Sequence, residues 1–150
     1  DDPITQKLEL IIFGQSKPKL APELGFPVHY MGKLQDDLSL RTLYNSADIM
    51  LIPSRQDNLP NTGVEAHACA VPVVAFNTGG LPDIVKHNET GYLAKAFDTE
   101  DFAKGIISIL SQQSQSLLGN NARERAIAQF SENKITTSYL KIYEKILDMS

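Results

Sequence analysis

One cysteine, Cys69, is all that the 150 residues contain. No internal disulfide can form, and a reducing compartment such as the cytoplasm fits. Basic blocks are missing too. With a net charge of −4, the chain is a poor candidate for nucleic-acid binding. No apolar run approaches the roughly 20 residues of a membrane span. The first residues do not read as a secretion signal. His29, His67 and His87 have no cysteine or second histidine at ligand spacing, so no metal site is expected. No internal repeat is found.

What is present suits one domain, residues 1–150, with a full core. Hydrophobic content of 42% and charged content of 21% are ordinary for a globular chain. The informative stretch is 48–85. Ile49-Met50-Leu51-Ile52, stopped by Pro53-Ser54, reads as a buried parallel strand. A polar loop from Arg55 to Pro60 and a short helix over 61–70 follow. Pro72 to Phe76 reads as a second buried strand, Asn77-Thr78-Gly79-Gly80 as a tight turn, and 81–85 as a further helix start. Alternation on this scale predicts a βαβ unit.

In such a sheet, loops at the carboxyl ends of strands face the ligand crevice. Both loops here open helices, so unpaired N–H groups and a positive helix end face that crevice. The first loop adds two carboxylates, Asp57 and Glu65, with seven residues between them. Helix N-termini suit phosphate and carboxylates suit sugar hydroxyls. A nucleotide-sugar pocket is the expectation, although Glu65 could simply be a favourable charge near a helix N-terminus and Asp57 a loop-forming residue.

The stretch resembles the donor-binding core of retaining GT-B glycosyltransferases, the family of group 1 glycosyl transferases that builds bacterial polysaccharides. The matching residues are Pro53-Ser54, Asp57, Glu65-Ala66-His67-Ala68-Cys69-Ala70, Pro72-Val73-Val74 and Gly79-Gly80-Leu81-Pro82-Asp83. Three positions depart from the family pattern. Asp57 replaces a Glu, Asn58-Leu59-Pro60 replaces Gly-Phe-Gly, and Ala70 replaces the Gly that ends the helix. The first two leave the identity of the sugar unread. Pro60 has no N–H to give a phosphate but suits the first helical position.

Elsewhere, residues 7–14 read as the first strand, ending at Gly14. Pro18, Pro22 and Pro27 make 15–27 a loop with at most one helical turn, at 21–24. Val28–Gly32 is a second strand. Asp37 or Ser39 is expected to cap a helix running to Ala47. A short edge strand is expected over 92–94. Asp98 or Thr99 caps a helix to Leu110 with Phe102, Ile106, Ile109 and Leu110 inward. A loop over 111–116, a helix over 119–130 and a Ser131-capped helix over 132–148 complete the chain. The last helix carries its apolar residues, Ile135, Tyr139, Ile142, Tyr143 and Ile146, at helical period. Five strands with about six helices predict an α/β fold: a Rossmann-like, doubly wound parallel sheet, one half of a GT-B fold.

The resemblance assigns roles. Glu65 would hold the ribose hydroxyls, and Asp57 the donor sugar. Asn58 and the amides at Leu59, Asn61 and Thr62 would border sugar and distal phosphate. Gly14 would lie on the pyrophosphate side, Gly32, Lys33 and Leu34 at the nucleobase, and Gly79 and Gly80 where backbone comes close to the ligand. Asp57 and Glu65 position the donor; no nucleophile is evident. No cofactor or metal is expected, only a nucleoside-diphosphate sugar as donor substrate. His67 reads as structural, and Arg55 as a surface ion pair in preference to a phosphate contact. An Arg and a Lys that the family uses on the diphosphate fall outside the matching part. The chain is therefore expected to be the carboxyl-terminal donor half of a two-domain enzyme and inactive alone. An amino-terminal acceptor half would complete it, and any peripheral membrane association would belong to the whole protein. Rival readings are a nucleotide-sugar epimerase on the same fold and a non-catalytic nucleotide-binding module.

Overall fold

The computed structural model describes residues 7–111 and 115–149. These hold five strands, all in parallel pairings, and six helices. They fall into two compact units, Asp1–Ser46 and Ala47–Ser150.

In the first unit, β1 (Leu10–Phe13) pairs with β2 (Val28–Gly32), Leu10 opposite Val28 and Ile12 opposite Tyr30. The crossover between them, usually helical in parallel pairs, is here a loop of turns and bends, as expected, and no helical turn forms at 21–24. Its three prolines account for this. Asp36, not Asp37 or Ser39, caps α1 (Asp37–Asn45): its carboxylate accepts the Ser39 N–H at 2.8 Å. That bond also holds the Asp36 carboxyl below the ordinary aspartate range. Helix α1 stops two residues short of Ala47. Its Tyr44 is buried and meets Phe13 edge-on at 5.8 Å.

The second unit contains a three-stranded ladder, β3 (Met50–Ile52), β4 (Val73–Phe76) and β5 (Gly91–Ala94), in the order β3-β4-β5. All four residues of the central strand are buried, as expected of a parallel strand covered on both faces. Val74 and Phe76 join Ala94, Phe102, Ile109 and Leu118 in one cluster. Phe102 and Ile109 come from α4 (Thr99–Ser111), whose first turn is capped by the Asp98 carboxylate at the Asp101 N–H, 3.0 Å. Tyr92 and Lys95 both bond the Asp101 carboxylate, the phenol at 2.9 Å and the backbone N–H at 2.8 Å, which ties α4 to the end of β5.

Next to this ladder are α2 (Asn61–Ala68), α3 (Leu81–Ile84) and α5 (Gln115–Phe130). Helix α5 begins four residues before the expected start at 119, so Gln115 and Ser116 are helical rather than loop. The central residues of that expected loop, 112–114, lie outside the described set. Gln115 donates to the Asp48 carbonyl at 2.8 Å, a partner 67 residues away, and this long-range bond anchors the early start. Gly119 lets α5 approach α2: a Cβ there would stand 2.2 Å from the Ala70 carbonyl oxygen.

Helix α6 (Glu132–Leu147) follows Ser131, which stands at the N-cap but makes no side-chain cap bond. No residue of α6 is buried, and Tyr139, Ile142, Tyr143 and Ile146 are all more than half exposed. The apolar period seen in the sequence therefore forms an uncovered stripe. At the edge of the ladder, β5 is closed by the segment before it. Asn88 N–H donates to the Gly91 carbonyl at 2.8 Å, and Leu93 N–H to His87 Nδ1 at 3.1 Å.

Helix α2 ends at Ala68, two residues earlier than expected, in a complete Schellman arrangement. Val71 N–H reaches the Ala66 carbonyl and Ala70 N–H the His67 carbonyl, both at 2.9 Å. Ala70 occupies the left-handed position with φ +60, a conformation that disfavours a Cβ. Ala70→Gly should therefore stabilise the protein by about 0.5–1 kcal/mol, raising Tm by a few degrees. Thermal denaturation followed by circular dichroism measures it. An unchanged or lower Tm would mean that the cap carries no strain.

Candidate functional site

Strand β3 releases the chain at Ile52, and the segment from Pro53 to Pro60 leads to α2. Pro60 stands at the N-cap of α2 rather than at the first helical position, with φ −66 and ψ 118, and is buried. Fixed φ and burial make it a rigid hinge between loop and helix. Asp57 is half-buried in the loop. Asn58, Leu59 and Asn61 are exposed, Thr62 is half-buried, and Glu65 lies exposed one turn into the helix. Thus the two carboxylates occupy the loop and helix that leave the carboxyl end of β3, as the spacing implied.

The turn after β4 shapes that loop. Gly80 N–H donates to the Asp57 carbonyl at 3.0 Å, and Thr78 Oγ1 donates to the Arg55 carbonyl at 3.4 Å. A Cβ at Gly79 would lie 2.1 Å from the Asp57 oxygen, and one at Gly80 only 1.4 Å from the Asn58 oxygen. The close backbone approach that these glycines allow is thus to the Asp57–Asn58 loop itself. Gly79 also has φ +55.

Arg55 is not in an ion pair among the described residues; its guanidinium lies 5.4 Å from the centre of the Phe97 ring. Phe97 follows β5, in a turn that runs from Lys95 to Asp98, and the sequence did not single it out.

In the first unit, Gly14 and Gly32 stand side by side at the ends of β1 and β2. Gly14 N–H donates to the Gly32 carbonyl at 2.8 Å, and both have left-handed φ, +87 and +67. Nothing crowds a Cβ at either, so backbone conformation, not space, selects glycine there. Lys33 is exposed and Leu34 half-buried.

His67 is on α2, two residues past Glu65, and is fully buried. Neither ring nitrogen has a partner in hydrogen-bonding geometry. Burial pushes its pKa down to about 4. The Thr90 backbone, near the ring but short of that geometry, opposes the shift in part, and the Arg125 guanidinium adds to it. Arg125 itself is committed elsewhere, donating Nε–H to the Ile84 carbonyl at 2.8 Å. His67 is therefore a neutral packing residue, as its place on a helix face away from Glu65 suggested.

These elements together make a Rossmann-like α/β half of a GT-B glycosyltransferase. The chain belongs to the family of glycosyl transferases group 1, whose sequence pattern matches residues 2–112. It is 34% identical over 121 residues to N-acetyl-alpha-D-glucosaminyl L-malate synthase of Bacillus anthracis, covering 80% of this chain and 31% of that protein. Sucrose-phosphate synthase from Thermosynechococcus elongatus superimposes with a TM-score of 0.79 at 29% identity, over 94% of this chain and 39% of that one. HepE of Anabaena, solved with UDP-glucose, shares the fold with a TM-score of 0.67 at 24% identity, over 81% and 32% of the two chains. The chain covers between about a sixth and a third of the length of the curated relatives it matches. No described helix is long and apolar enough to cross a membrane.

The His67 environment predicts acid sensitivity. Its folded pKa lies below the unfolded value of 6.5, so the unfolded chain takes up the proton first. Stability from this group is full above about pH 6.5 and is lost as pH falls toward about 4, by up to about 3 kcal/mol. His67→Met should remove that component and stabilise the protein at pH 7 by about 1–3 kcal/mol. Urea denaturation of both proteins at several pH values tests it. Parallel pH profiles would assign the acid loss to other groups.

Proposed function

We propose that this chain is the donor-binding half of a retaining glycosyltransferase. It takes a nucleoside-diphosphate sugar and serves transfer of the glycosyl group to a polysaccharide or cell-envelope acceptor. The observation that carries the reading is the placement of Asp57 and Glu65 on the loop and helix leaving β3, with Gly79 and Gly80 locked against that loop. Family membership supports glycosyl transfer as the reaction class.

Glu65 binds the paired ribose hydroxyls with its two carboxylate oxygens. Asp57 and the Asn58–Leu59 segment bind the sugar. The amides of Asn61 and Thr62, at the start of α2, face the distal phosphate and stabilise charge on the departing diphosphate. Gly14 and the Gly32–Leu34 segment serve the pyrophosphate and the base. Asp57 and Glu65 orient the donor; neither acts as a nucleophile. No metal or cofactor enters the scheme. The remainder of the protein supplies the acceptor half and the cations on the diphosphate, so the 150 residues alone bind donor weakly and transfer nothing. The place of reaction is the cytoplasm, at the inner membrane face where the acceptor is lipid-borne.

Glu65→Gln should weaken nucleoside-diphosphate binding by roughly 10- to 100-fold, the loss of charge-assisted bonds worth about 1.5–3 kcal/mol, with the fold intact. Asp57→Asn should weaken binding of the nucleotide sugar and spare the bare diphosphate. Calorimetry with a panel of nucleoside diphosphates and their sugars separates the two. Unchanged affinity in Glu65→Gln removes that residue from the site. Equal losses for both ligands in Asp57→Asn reduce Asp57 to a loop former.

A further inference from the structure

Phe97 stands where a turn would ordinarily place glycine. Asp98 N–H closes the turn onto the Lys95 carbonyl at 3.1 Å, and Phe97, third of the four residues, has φ +64. Positive φ is unusual for a bulky side chain and persists when the surroundings hold it. The ring is 51% exposed, so core packing does not account for it. What it touches does. One contact is Phe76, the last residue of β4, edge-on at 6.0 Å. The other is the Arg55 guanidinium. One ring therefore joins the segments that leave all three strands of the ladder: Arg55 after β3, Phe76 ending β4, and Phe97 itself after β5.

Arg55 lies two residues before Asp57. Its carbonyl is held by Thr78 and that of Asp57 by Gly80. The backbone of the loop is thus fixed from the β4 side, and the Arg55 side chain is fixed from the β5 side. We propose that Phe97 is a positioning residue for the donor sugar: its ring clamps Arg55 and so sets the loop that presents Asp57. This rests on the donor-binding reading above. The strained turn is offset by the stacking of a guanidinium on an aromatic face. A glycine at 97 would relax the backbone and release the loop.

The test uses the whole enzyme that carries this chain. Phe97→Gly should fold at least as stably as the parent. Its affinity for a nucleotide sugar should fall roughly 3- to 10-fold, with affinity for the nucleoside diphosphate unchanged. Phe97→Trp should restore sugar affinity. Arg55→Ala should reproduce the loss, and adding Phe97→Gly to it should cost nothing more. Hydrogen exchange without ligand should show faster exchange of the Gly80 amide in Phe97→Gly. Additive losses, equal losses for both ligands, or unchanged Gly80 exchange each overturn the clamp. If the parent binds no nucleotide sugar, the donor reading falls, and with it the sugar role of Phe97. Gly80 exchange then still decides whether the ring holds the loop.

Discussion

At Gly79 and Gly80 the turn after β4 runs against the carbonyls of Asp57 and Asn58, leaving no room for a methyl group at either position. The loop after β3 has little of its own to hold it. It contains no helix or strand, and its residues Asn58 and Leu59 are exposed. Its conformation comes from the neighbouring turn, through the Gly80 and Thr78 hydrogen bonds. That turn is itself fixed by β4, the most deeply buried strand of the ladder. Rigidity thus passes from core to turn to loop, and reaches the Asp57 carboxylate last. Preorganisation of this kind lowers the ordering cost of binding a polar ligand.

Strands of a parallel ladder are covered on both faces, so they read as unbroken apolar runs, and Val73 to Phe76 was legible for that reason. The α4 period was equally plain, since Phe102 and Ile109 face one cluster. Local signals failed where a distant partner decides. Gln115 is helical because α5 is anchored to Asp48, 67 residues back. The partition of the five strands into one ladder of two and another of three has no sequence signature. Asp36 was overlooked as a cap because Asp37 and Ser39 offer the same chemistry one or three positions on.

The placement of the two carboxylates proposed for the site was legible, because spacing along one strand-loop-helix segment is a local property. The partner of the glycines was not. Sequence told that Gly79 and Gly80 allow a close approach, and only the fold shows that Asp57 and Asn58 are what approaches. Phe97 was invisible for a similar reason. A phenylalanine after an edge strand gives no warning of positive φ, and its contact with Arg55 spans 42 residues, from 55 to 97. Ala70 is the reverse case: its departure from glycine was readable, and the left-handed φ found there fits the strain that the departure implies.

The closure of β5 by His87 and Asn88 affects how the protein is made. An open strand edge invites pairing with a second molecule, most dangerously while chains are only partly folded. Here the blocking segment directly precedes the strand it protects. On a growing polypeptide it is synthesised first, and a few residues of loop closure bring it into place. Strand and stopper therefore arise together, and intermolecular strand addition at this edge is denied its opening during biosynthesis.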